Sequence, residues 1–189
     1  MTEQESIAVI KEMISRTRTN FKEQSFFYLL WGWLVVASLC TEALLYNQNI
    51  EYHWVVWPIM SIIGGVWSSL YGRRMGKRAG YNTHMDRVMM FVWVGMIVYL
   101  VLVLLNTPKY GFTTAFMLLG GIYGLGTFIS GGILKFKPLI YGGVASFLLV
   151  LIAAIYPDVV SSFNRAMLFL AASIVFSYLI PGYMLKNSK

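Results

Sequence analysis

Glu42 is the only carboxylate inside the apolar stretches of this 189-residue chain. An ionisable group at membrane depth is costly, and by default it marks an ion, proton or substrate site. A plainer role is available. Glu42 lies about one helical turn before Tyr46 at the end of its apolar run, where it could reach the interface or pair with a neighbouring helix. Position favours this anchoring role over a functional carboxylate. Across the next turn come Glu51 and His53, with Trp54 and Trp57 behind them. A histidine with carboxylates can relay protons or bind metal. Two carboxylates and one histidine at unconstrained spacing are a weak ligand set, so no metal is expected, and the tryptophans suit an interface belt.

Other chemistry is thinly represented. No Gly-x-x-x-x-Gly-Lys-Ser/Thr phosphate loop, His-Glu-x-x-His zinc motif or Gly-x-Ser-x-Gly elbow occurs. An intramembrane hydrolase would need a nucleophile with a base or a second carboxylate, and the apolar runs supply neither. Enzyme is the least favoured class, and no cofactor is implied. The single cysteine, Cys40, can form neither an internal disulfide nor a thiolate metal site.

These residues are positioned by membrane helices. The chain is 58% hydrophobic, 16% aromatic and 12% charged, against roughly 25% charged residues in a soluble domain. Six apolar runs follow the N-terminal segment: 26–46, 53–71, 88–105, 112–134, 138–156 and 166–185. Each approaches the about 20 helical residues that cross a bilayer core. The turns between them, including 47–52, 106–111 and 157–164, are short and suit an up-and-down bundle. Pro58 and Pro181 are the interior prolines, each able to kink its helix.

Of the 15 basic residues, only Lys109 and Arg165 fall on one side of the expected membrane. The rest precede the first run, lie between the second and third, divide the fourth from the fifth, or end the chain. Both termini are therefore expected in the cytoplasm. The net charge of +7 sits in short clusters between apolar runs. That pattern fits topology and anionic lipid, with no nucleic-acid partner. Arg73, Arg74, Lys77 and Arg78 form the densest cluster and could hold anionic headgroups. His84 falls within an expected Thr83–Asp86 capping box and is read as solvated.

Ile7, Ile10, Ile14 and Phe21 share one helical face behind a Thr2–Glu5 capping box. They predict an amphipathic cytoplasmic helix over 1–25, lying on the membrane surface, against a partner or on the protein's own loops. The same segment lacks the pattern of a cleavable signal peptide. In the fourth run Gly120, Gly124, Thr127 and Gly131 are spaced four, three and four, a small-residue stripe suited to close helix packing. Packing within the chain is the first reading; a homo-oligomer contact or a backbone approach to a pore are the others. Gly121, Gly126 and Gly132 lie off that stripe. A weak repeat pairs Ile62-Ile63-Gly64-Gly65-Val66-Trp67 with Leu118-Leu119-Gly120-Gly121-Ile122-Tyr123.

Tyr28-Leu29-Leu30-Trp31-Gly32-Trp33, the segment from Gly132 to Ile140, and the closing Ile180-Pro181-Gly182-Tyr183 carry a resemblance over most of the chain. The chain resembles a group of small bacterial six-span membrane proteins without an assigned activity. The resemblance implies a bacterial inner membrane location and carries no reaction over. The expected architecture is all-α: a cytoplasmic helix over 1–25, a six-helix transmembrane domain over 26–185 and a tail over 186–189. Two functions fit it. One is a non-enzymatic accessory or regulatory component, acting through the glycine seam and cytoplasmic helix on a second copy or another membrane protein. The other is a small transporter or channel using Glu42, His53 and the fourth helix. Few polar residues are available to line a path, which favours the first.

Overall fold

The computed structural model describes residues 3–79 and 84–188, with side chains described over 23–75 and 87–188. All regular structure among the described residues is helical. Helix α1 runs unbroken over Glu3–Asn47. No proline occurs in it, and its single glycine, Gly32, is packed against Tyr178 and Leu179. The segment before residue 26 and the first span are thus one continuous backbone helix. The side chains of the apolar face expected over Ile7 to Phe21 and of the capping boxes at Thr2 and Thr83 lie outside those described, as does that of His84.

A 3-10 turn at His53–Val55 leads into α2, Val56–Ala79. Helix α3 spans His84–Tyr110, α4 Phe112–Leu134 and α5 Lys137–Ile155. The last span is composite: α6, Phe163–Ile174, then a π-helical turn over Val175–Leu179, then α7, Ile180–Lys186. Among the described residues six helical stretches are long and apolar enough to cross a membrane: Glu23–Asn47, His53–Met75, Arg87–Tyr110, Phe112–Leu134, Lys137–Ile155 and Phe163–Lys186.

Several boundaries differ from those expected. The turn anticipated over 106–111 shrinks to Gly111 alone, which takes a left-handed φ of 81°. Helix α3 continues through Pro108. Asn106 and Thr107 fold their side chains back onto the carbonyls of Leu102 and Val103, at 2.8 and 3.0 Å, and stay helical where their polarity suggested a loop. Pro58 is the third residue of α2, in a first turn whose N–H groups have no intrahelical acceptor, so it calls for no kink. Pro181 follows the π turn. Between α4 and α5, Lys135 adopts a left-handed conformation, and the Phe136 N–H reaches back to the Gly131 carbonyl at 2.9 Å. This closing motif satisfies the last carbonyls of α4 and makes the hairpin tight.

The spans alternate in direction. At one end Asn164 Nδ2 donates to Asn47 Oδ1 at 2.7 Å, and Phe163 packs on Tyr46 and Phe112. At the other end Phe26 stacks on Tyr71. Helices α1, α4, α5 and the composite span form the centre, with Tyr28, Leu39, Leu139, Met167, Leu170 and Ile174 fully buried among them. Helix α2 packs chiefly on α1 and α3 chiefly on α4, so both lie at the periphery. The most apolar window of the α2 span is 6% buried, and that of α4 is 50% buried.

Candidate functional site

Glu42 sits on the last turns of α1, and the chain that follows folds back over it. Asn49 supplies the reversal with a φ of 56°, a conformation asparagine tolerates better than most residues. The returning 3-10 turn and the first turn of α2 bring His53 and Trp57 onto the carboxylate. Glu42 Oε2 accepts a hydrogen bond from Trp57 Nε1 at 2.6 Å, and Oε1 lies 3.0 Å from His53 Nδ1. With its hydrogen on Nδ1, His53 donates to Glu42, in its neutral or its charged form. Each carboxylate oxygen therefore holds one donor.

Glu42 is 4% exposed. Of the two plainer roles open to it, reaching the interface or pairing with a neighbouring helix, the side chain turns into protein and pairs with the 3-10 turn and α2. Proximity to the helix end is what permits this, since the chain can reverse within a few residues and cap the carboxylate. His53 is half-buried and wedged edge-on between the rings of Tyr46 and Phe163. Glu51 is exposed. Among the described residues no group of three or more His, Cys, Asp or Glu side chains is placed to hold a metal ion. The arrangement can fasten α2 to α1 and can hold a proton near the end of the bundle. Trp57 was hidden in the sequence because a tryptophan at a helix start reads equally well as an interface residue.

The stripe on α4 is fully internal. Gly120, Gly124, Thr127 and Gly131 are all buried. A Cβ built on Gly124 would fall 2.9 Å from the Ser146 Cβ, and one on Gly131 would fall 2.7 Å from the Ile140 backbone nitrogen, both on α5. Thr127 donates to the Tyr123 carbonyl at 2.9 Å. Off the stripe, Gly126 is covered by Met96 of α3, whereas Gly121 and Gly132 have nothing within 4 Å of a Cβ position. On α5, Gly142 lies against the Phe176 carbonyl of the π turn. The buried glycines of α4 thus pack within the chain, Gly120, Gly124 and Gly131 on α5 and Gly126 on α3.

Helix α2 presents the opposite case, which the sequence reading passed over. Gly64 meets Trp31 and Leu34, and Ser68 accepts a bond from Trp31 Nε1 at 3.1 Å. About a quarter turn away lie Ser61, Gly65, Ser69 and Gly72, spaced four, four and three. Ser61, Gly65 and Ser69 are exposed, and neither glycine has an atom within 4 Å of its Cβ position. Ile62 and Val66 flank this stripe at 67% and 51% exposure. The signal was present in the spacing, but two of these four residues are serines, which are ordinary in an apolar helix. Beyond the stripe, Arg73 and Arg74 are exposed, while the side chains of Lys77 and Arg78 lie outside the described residues.

Comparison with protein-family models, with curated proteins and with solved structures finds no match to this chain.

Proposed function

We propose that the chain is a non-enzymatic, multi-pass component of a bacterial inner membrane that works by binding another membrane chain through α2. The observation that carries this reading is the open small-residue stripe on a helix whose most apolar window is only 6% buried. Between helices in lipid, association rests on close backbone approach, and small residues at four-residue spacing permit it. The β-branched neighbours Ile62 and Val66 are already restricted in χ1 and lose little freedom on docking. Fastening by Glu42, His53 and Trp57 would hold α2 at a fixed angle to the bundle and so present the stripe. The α4 seam, by contrast, is occupied and unavailable to a partner.

The split of basic residues supports cytoplasmic termini. In that orientation Arg73 and Arg74 would meet the cytoplasmic leaflet, where anionic headgroups suit them. A photo-crosslinker placed at Ser69 in native membranes is expected to yield a discrete adduct, and the same probe at Leu148 on α5 is expected to yield none. Equal labelling from both positions would count against α2 as the contact.

A second reading, a small transporter or channel, is favoured by the buried Glu42–His53 pair. Its test is solute or proton flux in proteoliposomes that disappears with Glu42→Gln.

A further inference from the structure

A groove between α3 and α4 lies apart from Glu42 and from the α2 stripe. It encloses about 190 Å³ and runs from Tyr110, the last residue of α3, back to Tyr99. Along a helix that separation is about 16 Å, close to half of the about 30 Å hydrocarbon core of a bilayer. The lining is graded. Asn106, Thr107 and Tyr110 form the end beside Gly111, and Leu102, Val103 and Leu118 follow deeper. Leu102, Asn106, Tyr110 and Leu118 are exposed, so the groove opens outward along its length.

Lys109 stands at the polar end of this groove. Its Nζ lies 5.4 Å from the centroid of the Tyr110 ring, and that ring is part of the lining. Among the described residues no carboxylate forms an ion pair with it. The other basic residue at this end of the bundle, Arg165, is already spent: its guanidinium bonds the Asp158 carbonyl and the hydroxyls of Ser161 and Ser162. Beside Lys109 the polar groups call for donors. Asn106 Nδ2 donates to the Leu102 carbonyl at 2.8 Å and leaves Oδ1 to accept, while Thr107 commits its hydroxyl hydrogen to the Val103 carbonyl at 3.0 Å. The groove therefore offers a cation and two acceptor oxygens above an apolar trough.

We propose that this groove binds a phospholipid of the adjoining leaflet, with its phosphate on Lys109, one acyl chain along Leu102, Val103 and Leu118, and hydrogen-bond donors of its head group toward Asn106 and Thr107. Charge complementarity selects the phosphate. An ethanolamine or glycerol head group supplies the donors, and choline, which has no N–H or O–H, does not. Size selects a lipid chain. A drug-sized ligand takes a pocket of about 300–1,000 Å³ that covers most of its surface, whereas this groove can hold only part of a molecule whose remainder lies in the bilayer. A partner helix, about 10–12 Å across, finds no gap between α3 and α4, which pack directly on each other. The site is independent of the α2 contact, and either can fail without the other.

The test uses the whole protein in nanodiscs of equal parts phosphatidylethanolamine and phosphatidylcholine with matched chains, released with its bound lipid into a mass spectrometer. Retained lipid is expected to be enriched in phosphatidylethanolamine on the order of tenfold, which a hydrogen bond to a charged group can support. Lys109→Gln removes the cation and Leu118→Trp fills the trough, both at exposed positions. Each is expected to abolish the enrichment and leave the thermal transition unmoved. Should Leu118→Trp disturb the fold, Leu102→Trp fills the same trough from α3. A wild-type protein that retains no lipid, or lipid matching the disc, overturns the proposal. Enrichment that survives either change in a folded protein overturns it equally, because the lipid would then sit elsewhere.

Discussion

Helices α4 and α2 carry the same device and use it differently. Each has small residues at four- and three-residue spacing, and each contains a glycine pair whose first member is packed and whose second is open, Gly120-Gly121 and Gly64-Gly65. On α4 the stripe faces α5 so closely that an added methyl has no room. On α2 the Gly65 and Ser69 positions of a comparable stripe are exposed, and nothing lies within 4 Å of a Cβ at Gly65. The difference shows that a small-residue motif identifies a helix able to approach another, while the surrounding packing decides whether that place is already taken. Thr127 belongs to the filled stripe as a 0% exposed residue, and Ser69 belongs to the open one.

Breaking the filled stripe should have the largest effect. Gly131→Leu places a side chain where even a Cβ would be 2.7 Å from backbone. Overpacking by a single methylene already costs about 1–3 kcal/mol, so this variant is expected to lose the folded bundle, read as aggregation on size exclusion in detergent. At Gly65 an added Cβ meets nothing within 4 Å, which leaves open space for Gly65→Leu. It should leave the thermal transition unmoved and reduce association on the order of tenfold, equivalent to about 1.4 kcal/mol, measured by dilution of labelled protein in bilayers. Were both variants to unfold the protein, the distinction between the two stripes would fail.

Releasing the fastening of α2 should act next in size. Glu42→Ala leaves the donors of His53 and Trp57 without their acceptor, and bonds to a charged group contribute about 1.5–3 kcal/mol. The expected outcome is a lowered thermal transition together with faster hydrogen exchange at the start of α2, while α4 and α5 keep their protection. Exchange rising evenly over all helices would show that Glu42 supports the whole bundle. The smallest change expected is from Ser68→Ala, which removes one bond to Trp31 of about 0.5–1.5 kcal/mol and should shift the red edge of the tryptophan emission more than the transition.

Much of the architecture was legible because lipid leaves few choices: apolar runs of spanning length must be helices. The turn at 106–111 was misread because Asn106, Thr107 and Pro108 look like a loop when the side-chain bonds to Leu102 and Val103 are unseen. The meeting of Glu42 with His53 could be suspected, since only a short turn separates them. Its burial could not, because that depends on Asn49 reversing the chain and on Trp57 closing over the carboxylate.

The central claim is that α2 is the contact helix, and mass measurement of the protein released from native lipid tests it most directly. Wild type is expected to appear in a complex heavier than one chain, and Gly65→Leu, with an unchanged thermal transition, is expected to appear at the mass of the single chain. A wild-type protein found only as the single chain, or a complex that survives Gly65→Leu intact, would contradict the account.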